Sequence, residues 1–199
     1  YIKRLKTNKG QFVETSLLES GLSYTIWESG IYFATQEVSA QSGTAHRLSA
    51  PYQAFKTKDG YINIGAANQA NWEKLCHAIN KPEFITKEQY VDNSSRMKNI
   101  NKLVSSLNKE FELKPTSDWV EILISAGVPC GPILNMDEVL NHEQIKDRET
   151  VINLNHTKLG KIQNLSFPIK FSENPQSLKL PPPLLGEHNN EILKELGYS

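Results

Sequence analysis

The 199-residue sequence is poor in cysteine. Cys76 and Cys130 are its only two, which excludes the dense disulfide framework of a small secreted domain and fits a reducing compartment. Long apolar runs are also missing. No stretch approaches the ~18 uninterrupted apolar residues of a membrane span, and residues 1–11 place no apolar segment behind their Lys and Arg side chains, so no export signal is expected. Neither charge is in excess, with 22 Lys+Arg against 22 Asp+Glu, and a balanced surface is not drawn to phosphate backbones or anionic lipid. Nucleic-acid and membrane partners are therefore not expected; a soluble protein of the cytoplasm, or of the mitochondrial matrix, is. Asn93, Asn155 and Asn164 each open an N-x-[ST] triplet, read as chance matches in an asparagine-rich chain.

What is present suffices for a folded core. Hydrophobic residues make up 38% of the chain, which excludes wholesale disorder, and the length allows one domain or two small ones. Gln11-Phe12-Val13 reads as a short strand leading into a long helix in which Leu18, Leu22 and Ile26 recur at helical spacing. Gly21 and Gly30 inside that helix would let another backbone approach. Residues 36–50 are polar and aperiodic, a connector or functional loop. Tyr52–Lys56 and Tyr61–Gly65 flank an Asp59-Gly60 corner, a strong hairpin signature because Asp-Gly tolerates positive φ.

Helices follow with identifiable ends. Asn68 is the expected N-cap of a helix from Gln69 to Ile79, with Trp72, Leu75 and Cys76 on one face. Met97, Ile100, Val104, Leu107 and Phe111 mark an amphipathic helix, and Pro115-Thr116 starts another that Gly127 stops. Val128 to Pro132 must be extended, since its two prolines cannot continue a helix. A short capped helix is expected over Asn135–Leu140, and two or three strands over residues 151–171. Pro181-Pro182-Pro183 is a stiff spacer before a last helix, Asn190 to Leu196, closed by Gly197.

The common local catalytic signatures are absent: no phosphate-cradling glycine loop, no G-x-S-x-G turn and no H-E-x-x-H helix. Cys76 and His77 are neighbours on a helix and point apart, so they cannot serve as nucleophile and base to each other. Cys76 reads as core and Cys130 as a packed thiol in a rigid turn. His142, His156 and His188 are scattered without ligand spacing, so no metal site is expected. Two loop features remain. His46 beside Arg47 could meet an acidic substrate group. Asn68 and Gln69 stand where a strand end meets a helix N-terminus with free amide hydrogens, which suits a carboxylate, although capping explains Asn68 equally well. Read from residues alone, this is an α+β protein without an identifiable reaction centre.

Ordered motifs along nearly the whole chain carry a resemblance. Gly10-Gln11-Phe12-Val13-Glu14-Thr15-Ser16-Leu17-Leu18-Glu19, Gly43-Thr44-Ala45-His46, Ala50-Pro51-Tyr52-Gln53-Ala54-Phe55, Asp59-Gly60-Tyr61-Ile62, Asn71-Trp72-Glu73-Lys74-Leu75-Cys76, Ala126 to Ile133 and Pro183 to His188 resemble the class III coenzyme A transferases, the family of the formyl-CoA and carnitine CoA-transferases. The α-methylacyl-CoA racemases form a related branch. Members are about twice as long, and this chain is similar to their C-terminal half.

The resemblance implies an α+β (α/β) fold from an interlocked-dimer family. Residues 1–40 would be the end of a Rossmann-like large domain, a strand plus a long helix; residues 41–172 a small α+β domain with antiparallel hairpin strands; residues 173–199 a tail returning to the large domain. It implies an enzyme that moves coenzyme A between an acyl-CoA and a small carboxylic acid through an aspartyl intermediate. The nucleophilic aspartate would lie outside this chain, because none of Asp59, Asp92, Asp118, Asp137 or Asp147 sits in the matching motif. No tightly bound cofactor is implied, coenzyme A being a substrate. His46, Arg47, Asn68 and Gln69 would contact the acid, and Leu17 would lie against coenzyme A. The family's glycine-rich covering loop would correspond to residues 43–50, which here hold only Gly43. Racemases of the related branch tend to carry a carboxylate at the turn aligned with Ala67-Asn68-Gln69; the amides here favour the transferase. The alternatives are a racemase-type portion and a non-catalytic interaction module.

Overall fold

The computed structural model describes residues 1–174, 178 and 180–198. In chain order the elements are α1 (Ile2–Thr7), α2 (Leu17–Ser23), α3 (Ile26–Thr35), β1 (Tyr52–Lys56), β2 (Tyr61–Gly65), α4 (Gln69–Ala78), α5 (Glu83–Thr86), α6 (Asn93–Lys98), α7 (Ile100–Phe111), α8 (Thr116–Ser125), β3 (Cys130–Pro132), α9 (Met136–Asn141), α10 (Glu143–Asp147), β4 (Val151–His156), β5 (Gly160–Leu165) and α11 (Asn189–Glu195). The fold is thus a mixture of helices and antiparallel strands. Strands β1, β2 and β3 form one sheet in that order, and β4 and β5 a separate hairpin.

Two compact units divide the chain. One comprises Tyr1–Ala54 with Gly65–Ser105, the other Phe55–Ile64 with Ser106–Ser199.

In the second unit β2 alternates as a half-buried strand should: Ile62 and Ile64 are buried while Tyr61 and Asn63 are exposed. The extended Val128–Pro132 segment adds β3 against it, pairing Ile62 with Pro132 and Ile64 with Cys130 in antiparallel register. Phe111 is fully buried between the rings of Phe55 and Trp119, with centroids 5.2 Å and 5.1 Å away. The Trp119 indole donates to the Phe111 carbonyl at 2.8 Å, so this large ring is buried without leaving its N–H unpaired. The hairpin corner does a second job. Thr116 donates to Asp59 Oδ1 through both its backbone N–H (2.8 Å) and its hydroxyl (2.9 Å), so Asp59 caps α8, whose own N-cap position, Pro115, has no side chain for the task. These bonds favour the ionised form and hold the Asp59 carboxyl below its ordinary value. Gly127, at φ +69°, ends α8 in the left-handed conformation that glycine adopts without penalty.

In the first unit Trp72, Leu75 and Cys76 form the buried face of α4. Asn68 caps this helix as expected, accepting from the Asn71 N–H at 2.8 Å. Tyr90 meets Trp72 and Phe84 edge-on, at 6.3 Å and 5.4 Å.

Several local expectations change. Residues 11–13 form no strand, and Phe12 and Val13 are exposed; a β-prone tripeptide without a neighbouring strand has no ladder to join. The single long helix is two, α2 and α3, separated at Tyr24 and Thr25. A Cβ on Gly21 or Gly30 would meet nothing within 4 Å, so no backbone of the described residues approaches either glycine. The amphipathic helix is interrupted at Asn99, giving α6 and α7, and its buried stripe is Leu103, Leu107 and Phe111. The two or three strands over residues 151–171 are two, β4 and β5. Helices α4, α8, α9 and α11 lie within a residue or two of their expected spans, as helix ends fray, whereas the short α1, α5 and α10 were not expected.

Candidate active site

The two loop features belong to the same unit. His46 is held at both ends: its N–H donates to the Tyr52 carbonyl at 2.8 Å, and its ring stacks on Tyr52 with centroids 5.3 Å apart. Trp27 of α3 meets the same ring edge-on at 6.3 Å. The Leu48 N–H donates to His46 Nδ1 at 3.2 Å, so in the neutral ring Nε2 carries the hydrogen and is the donor left for a ligand. Arg47 pairs with Glu28 at 3.0 Å and donates to the Ser39 hydroxyl at 2.7 Å. The Ser39 hydroxyl first, and Arg47 second, draw the Glu28 carboxyl below its usual value. The guanidinium of Arg47 is thus already committed to a carboxylate.

The second feature is the turn between β2 and α4. Ala66 donates to the Pro51 carbonyl at 2.9 Å, which sets the start of this turn beside the end of the His46 loop. Asn68 and Gln69 are both exposed. The Gln69 amide donates to Glu73 at 3.1 Å.

The start of α6 joins the two features. Asn93 accepts from the Ala50 N–H at 3.0 Å and donates to the Leu48 carbonyl at 2.9 Å, so its amide is engaged at both ends. Arg96, only 1% exposed, donates to the Ala50 carbonyl (2.7 Å), the Tyr90 carbonyl (3.1 Å), the Ala67 carbonyl (3.1 Å) and Gln69 Oε1 (3.1 Å). Its guanidinium lies over the Trp72 ring, 5.1 Å from the centroid. All four acceptors are neutral, so the buried positive charge is solvated by carbonyl dipoles and an aromatic face. Burial lowers the Arg96 pKa. Trp72 Nε1 beneath it is buried without a hydrogen-bond partner.

The thiols are not activated. Burial pushes the Cys76 thiol up to about 12, against the opposing pull of Arg96, and burial also raises Cys130, so neither is a thiolate at neutral pH. Among the described residues no group of three or more His, Cys, Asp or Glu is placed to hold a metal ion. No described helix is long and apolar enough to cross a membrane. A cavity of about 460 Å³ is lined by Asp137, Leu140, Asn141, Val151, Gln163, Asn164 and Leu165 and contains none of the loop residues above.

The family pattern described as CoA-transferase family III matches residues 1–189. The chain belongs to this CoA-transferase family. Succinyl-CoA:glutarate CoA-transferase of Homo sapiens is 37% identical over 195 residues, covering 98% of this chain and 44% of that protein. Formyl-CoA:oxalate CoA-transferase of Rhodopseudomonas palustris (strain BisA53) is 35% identical over 129 residues, covering 64% of this chain and 30% of that protein. Among solved structures, a CAIB/BAIF family protein from Brucella suis aligns with a TM-score of 0.81 and 29% identity over 98% of this chain and 50% of its own. The chain therefore spans about half the length of the CoA-transferase relatives it matches.

Within this CoA-transferase chain, His46 and Arg47 share one loop, and Asn68 and Gln69 share the adjoining turn. Leu17 is the first residue of α2 and is 94% exposed. Arg96 is the residue that sequence reasoning missed. A signal was present in the sequence: positions 96, 100, 103, 107 and 111 recur at helical spacing, although the chain breaks into α6 and α7 between the first and the rest, and a charge at a position in such an apolar series demands a built polar site.

Proposed function

We propose that this chain is the C-terminal portion of a class III CoA-transferase that moves coenzyme A between an acyl-CoA and a dicarboxylic acid. The carrying observation is the turn Ala67-Asn68-Gln69, whose exposed side chains are amides, set beside the His46 loop through Ala66 and Pro51. Amide and imidazole N–H groups suit a carboxylate, whereas a carboxylate at this turn would repel one. The identity to the human succinyl-CoA:glutarate enzyme supports a dicarboxylic acid as acceptor.

The nucleophile lies outside this chain. An aspartate carboxylate attacks the acyl-CoA carbonyl, the C–S bond breaks, and the thiolate leaves, giving an acyl-aspartyl anhydride. The thiolate then takes the aspartyl carbonyl and releases the donor acid. The acceptor carboxylate repeats the sequence in reverse, so an activated acyl bond is conserved at each step. This chain orients the acceptor and helps exclude water.

In the complete protein residues 1–40 close a Rossmann-like large domain, residues 41–172 form the small domain, and residues 173–199 return to the large domain. Leu17 faces coenzyme A, and Arg47 flanks the acid. Two copies interlock, and the exposed apolar side chains of α2 and α3 support such packing. Two free thiols support a cytoplasmic or matrix location.

The test is CoA exchange by the complete protein with a fixed acyl-CoA donor and a panel of acids. His46→Ala and Asn68→Ala are each expected to raise KM for dicarboxylic acceptors roughly tenfold, the worth of one hydrogen bond to a charged group. Unchanged kcat/KM for every acceptor in both variants overturns the site. Proton exchange at the acyl α-carbon without CoA exchange overturns the transferase in favour of the racemase branch, and inactivity in both assays favours an interaction module.

A further inference from the structure

We propose that Arg96 is a positioning residue for acceptor selection: it ties the His46 loop to the Asn68–Gln69 turn and fixes which side of the Gln69 amide is offered to an acid. This rests on the reading that the turn meets the acceptor.

The fixing follows from donor arithmetic. A guanidinium has N–H donors and no acceptor, so the group facing it at Gln69 must be the amide oxygen. With Oε1 held 3.1 Å from Arg96 Nη1, the amide cannot flip, and Nε2 faces away from Arg96. One Nε2 hydrogen goes to Glu73 at 3.1 Å, and the other remains on an exposed side chain. A freely rotating glutamine would present oxygen as readily as nitrogen, and oxygen repels a carboxylate. Arg96 on the oxygen and Glu73 on the nitrogen together make Gln69 a donor only.

The same guanidinium holds the backbone on both sides of the site, the Ala50 carbonyl of the His46 loop at 2.7 Å and the Ala67 carbonyl of the turn at 3.1 Å. Its rigidity comes from burial, from the planar fork and from the Trp72 ring it lies on. An ammonium at this position would keep the charge but could not span these acceptors. Charge alone therefore does not perform the function.

The test uses the complete protein with one acyl-CoA donor and two five-carbon acceptors, glutarate and pentanoate. Its readout is the ratio of their kcat/KM values, with thermal melting recorded for every variant. Gln69→Glu, made in a Glu73→Gln background so that no carboxylate faces its second oxygen, keeps an oxygen for Arg96 and anchors a negative charge where an N–H had been. It is expected to lower the ratio roughly tenfold or more, and further than Gln69→Ala does. Arg96→Lys is expected to lower the ratio in the wild-type background and to lower it by a smaller factor in the Gln69→Ala background, where only the tie between the loop and the turn is left to lose. Equal ratios for Gln69→Glu and Gln69→Ala, both below wild type, overturn the proposal, because an unanchored glutamate swings away; this comparison stands even where Arg96→Lys does not fold. A loss in Arg96→Lys that falls equally on both acids, or that is undiminished in Gln69→Ala, also overturns it and leaves Arg96 a structural residue. An unchanged ratio in both Gln69 variants removes the acid-binding turn itself, and the proposal with it.

Discussion

Residues 1–49 and residues 50–128 are written in the same amphipathic style, yet only one of the two stretches is buried. The second contains Phe55, Ile62, Trp72, Leu107, Phe111 and Leu123, each at most 1% exposed. The first contains no buried residue, and Phe12 (86% exposed), Leu17 (94%) and Phe33 (74%) face outward. Helix formation needs only local spacing, capping and propensity, as at Ser16, which caps α2 by accepting from Glu19. Burial needs a facing surface. The contrast teaches that a hydrophobic pattern states where a face is, while its partner has to be supplied by other parts of the fold.

The largest way to sharpen this contrast is a pair of truncations. Phe111→Ala is expected to cost about 3–5 kcal/mol, because it empties a site between two rings. Phe33→Ala in the same 199-residue chain should stay within about 0.5 kcal/mol. Denaturant unfolding monitored by circular dichroism measures both, and equal losses would break the comparison. Hydrogen exchange gives the same contrast by backbone position: amides of α2 and α3 should exchange orders of magnitude faster than those of α4 and α7.

Removal of the α4 cap by Asn68→Ala is expected to cost about 1 kcal/mol, an intermediate effect at an exposed position that nonetheless ends a buried helix. Its thermal melt separates this loss from the effect on KM.

A subtler effect concerns pH. The Cys76 thiol is raised to about 12 by burial, so on alkaline titration the unfolded chain loses this proton first. Stability then declines as pH rises from the ordinary thiol value, about 8.5, toward about 12. Cys76→Ala should remove one proton from that slope, whereas Cys130→Ala, at a half-buried site, should remove less. Asp59 acts in the opposite direction. Its carboxyl is lowered by the Thr116 bonds, so its contribution is complete above the ordinary carboxylate range and is lost as pH falls through it. Asp59→Asn should flatten the acid limb of the stability curve; an unchanged limb would show that the α8 cap is not charge-assisted.

Much of this was legible in the chain. The Asn68 cap, the Gly127 stop and the extended Val128–Pro132 segment were readable because each depends on one residue's own local preference; the hairpin about Asp59-Gly60 was readable from its flanking strands, although neither residue takes the positive φ expected of that corner. The family was legible too, since its motifs run in order along most of the chain. Less legible were the break at Tyr24 and Thr25, where no proline or strong punctuator interrupts the pattern, and the loss of the strand at residues 11–13, which depended on an absent neighbour.

The sequence by itself therefore determined the hairpin, the capped helices from α4 onward and the family, because spacing, caps and turns act over a few residues. Tertiary structure alone decided that Asp59 caps a helix 57 positions onward and that Arg96 reaches back 46 positions to Ala50 and 29 to Ala67. The physical reason is that the buried Arg96 donors must be satisfied by whatever carbonyl the packing brings within about 3 Å, as the free N–H at the start of α8 is by the Asp59 carboxylate, and no local preference of Arg96 or Asp59 names that partner.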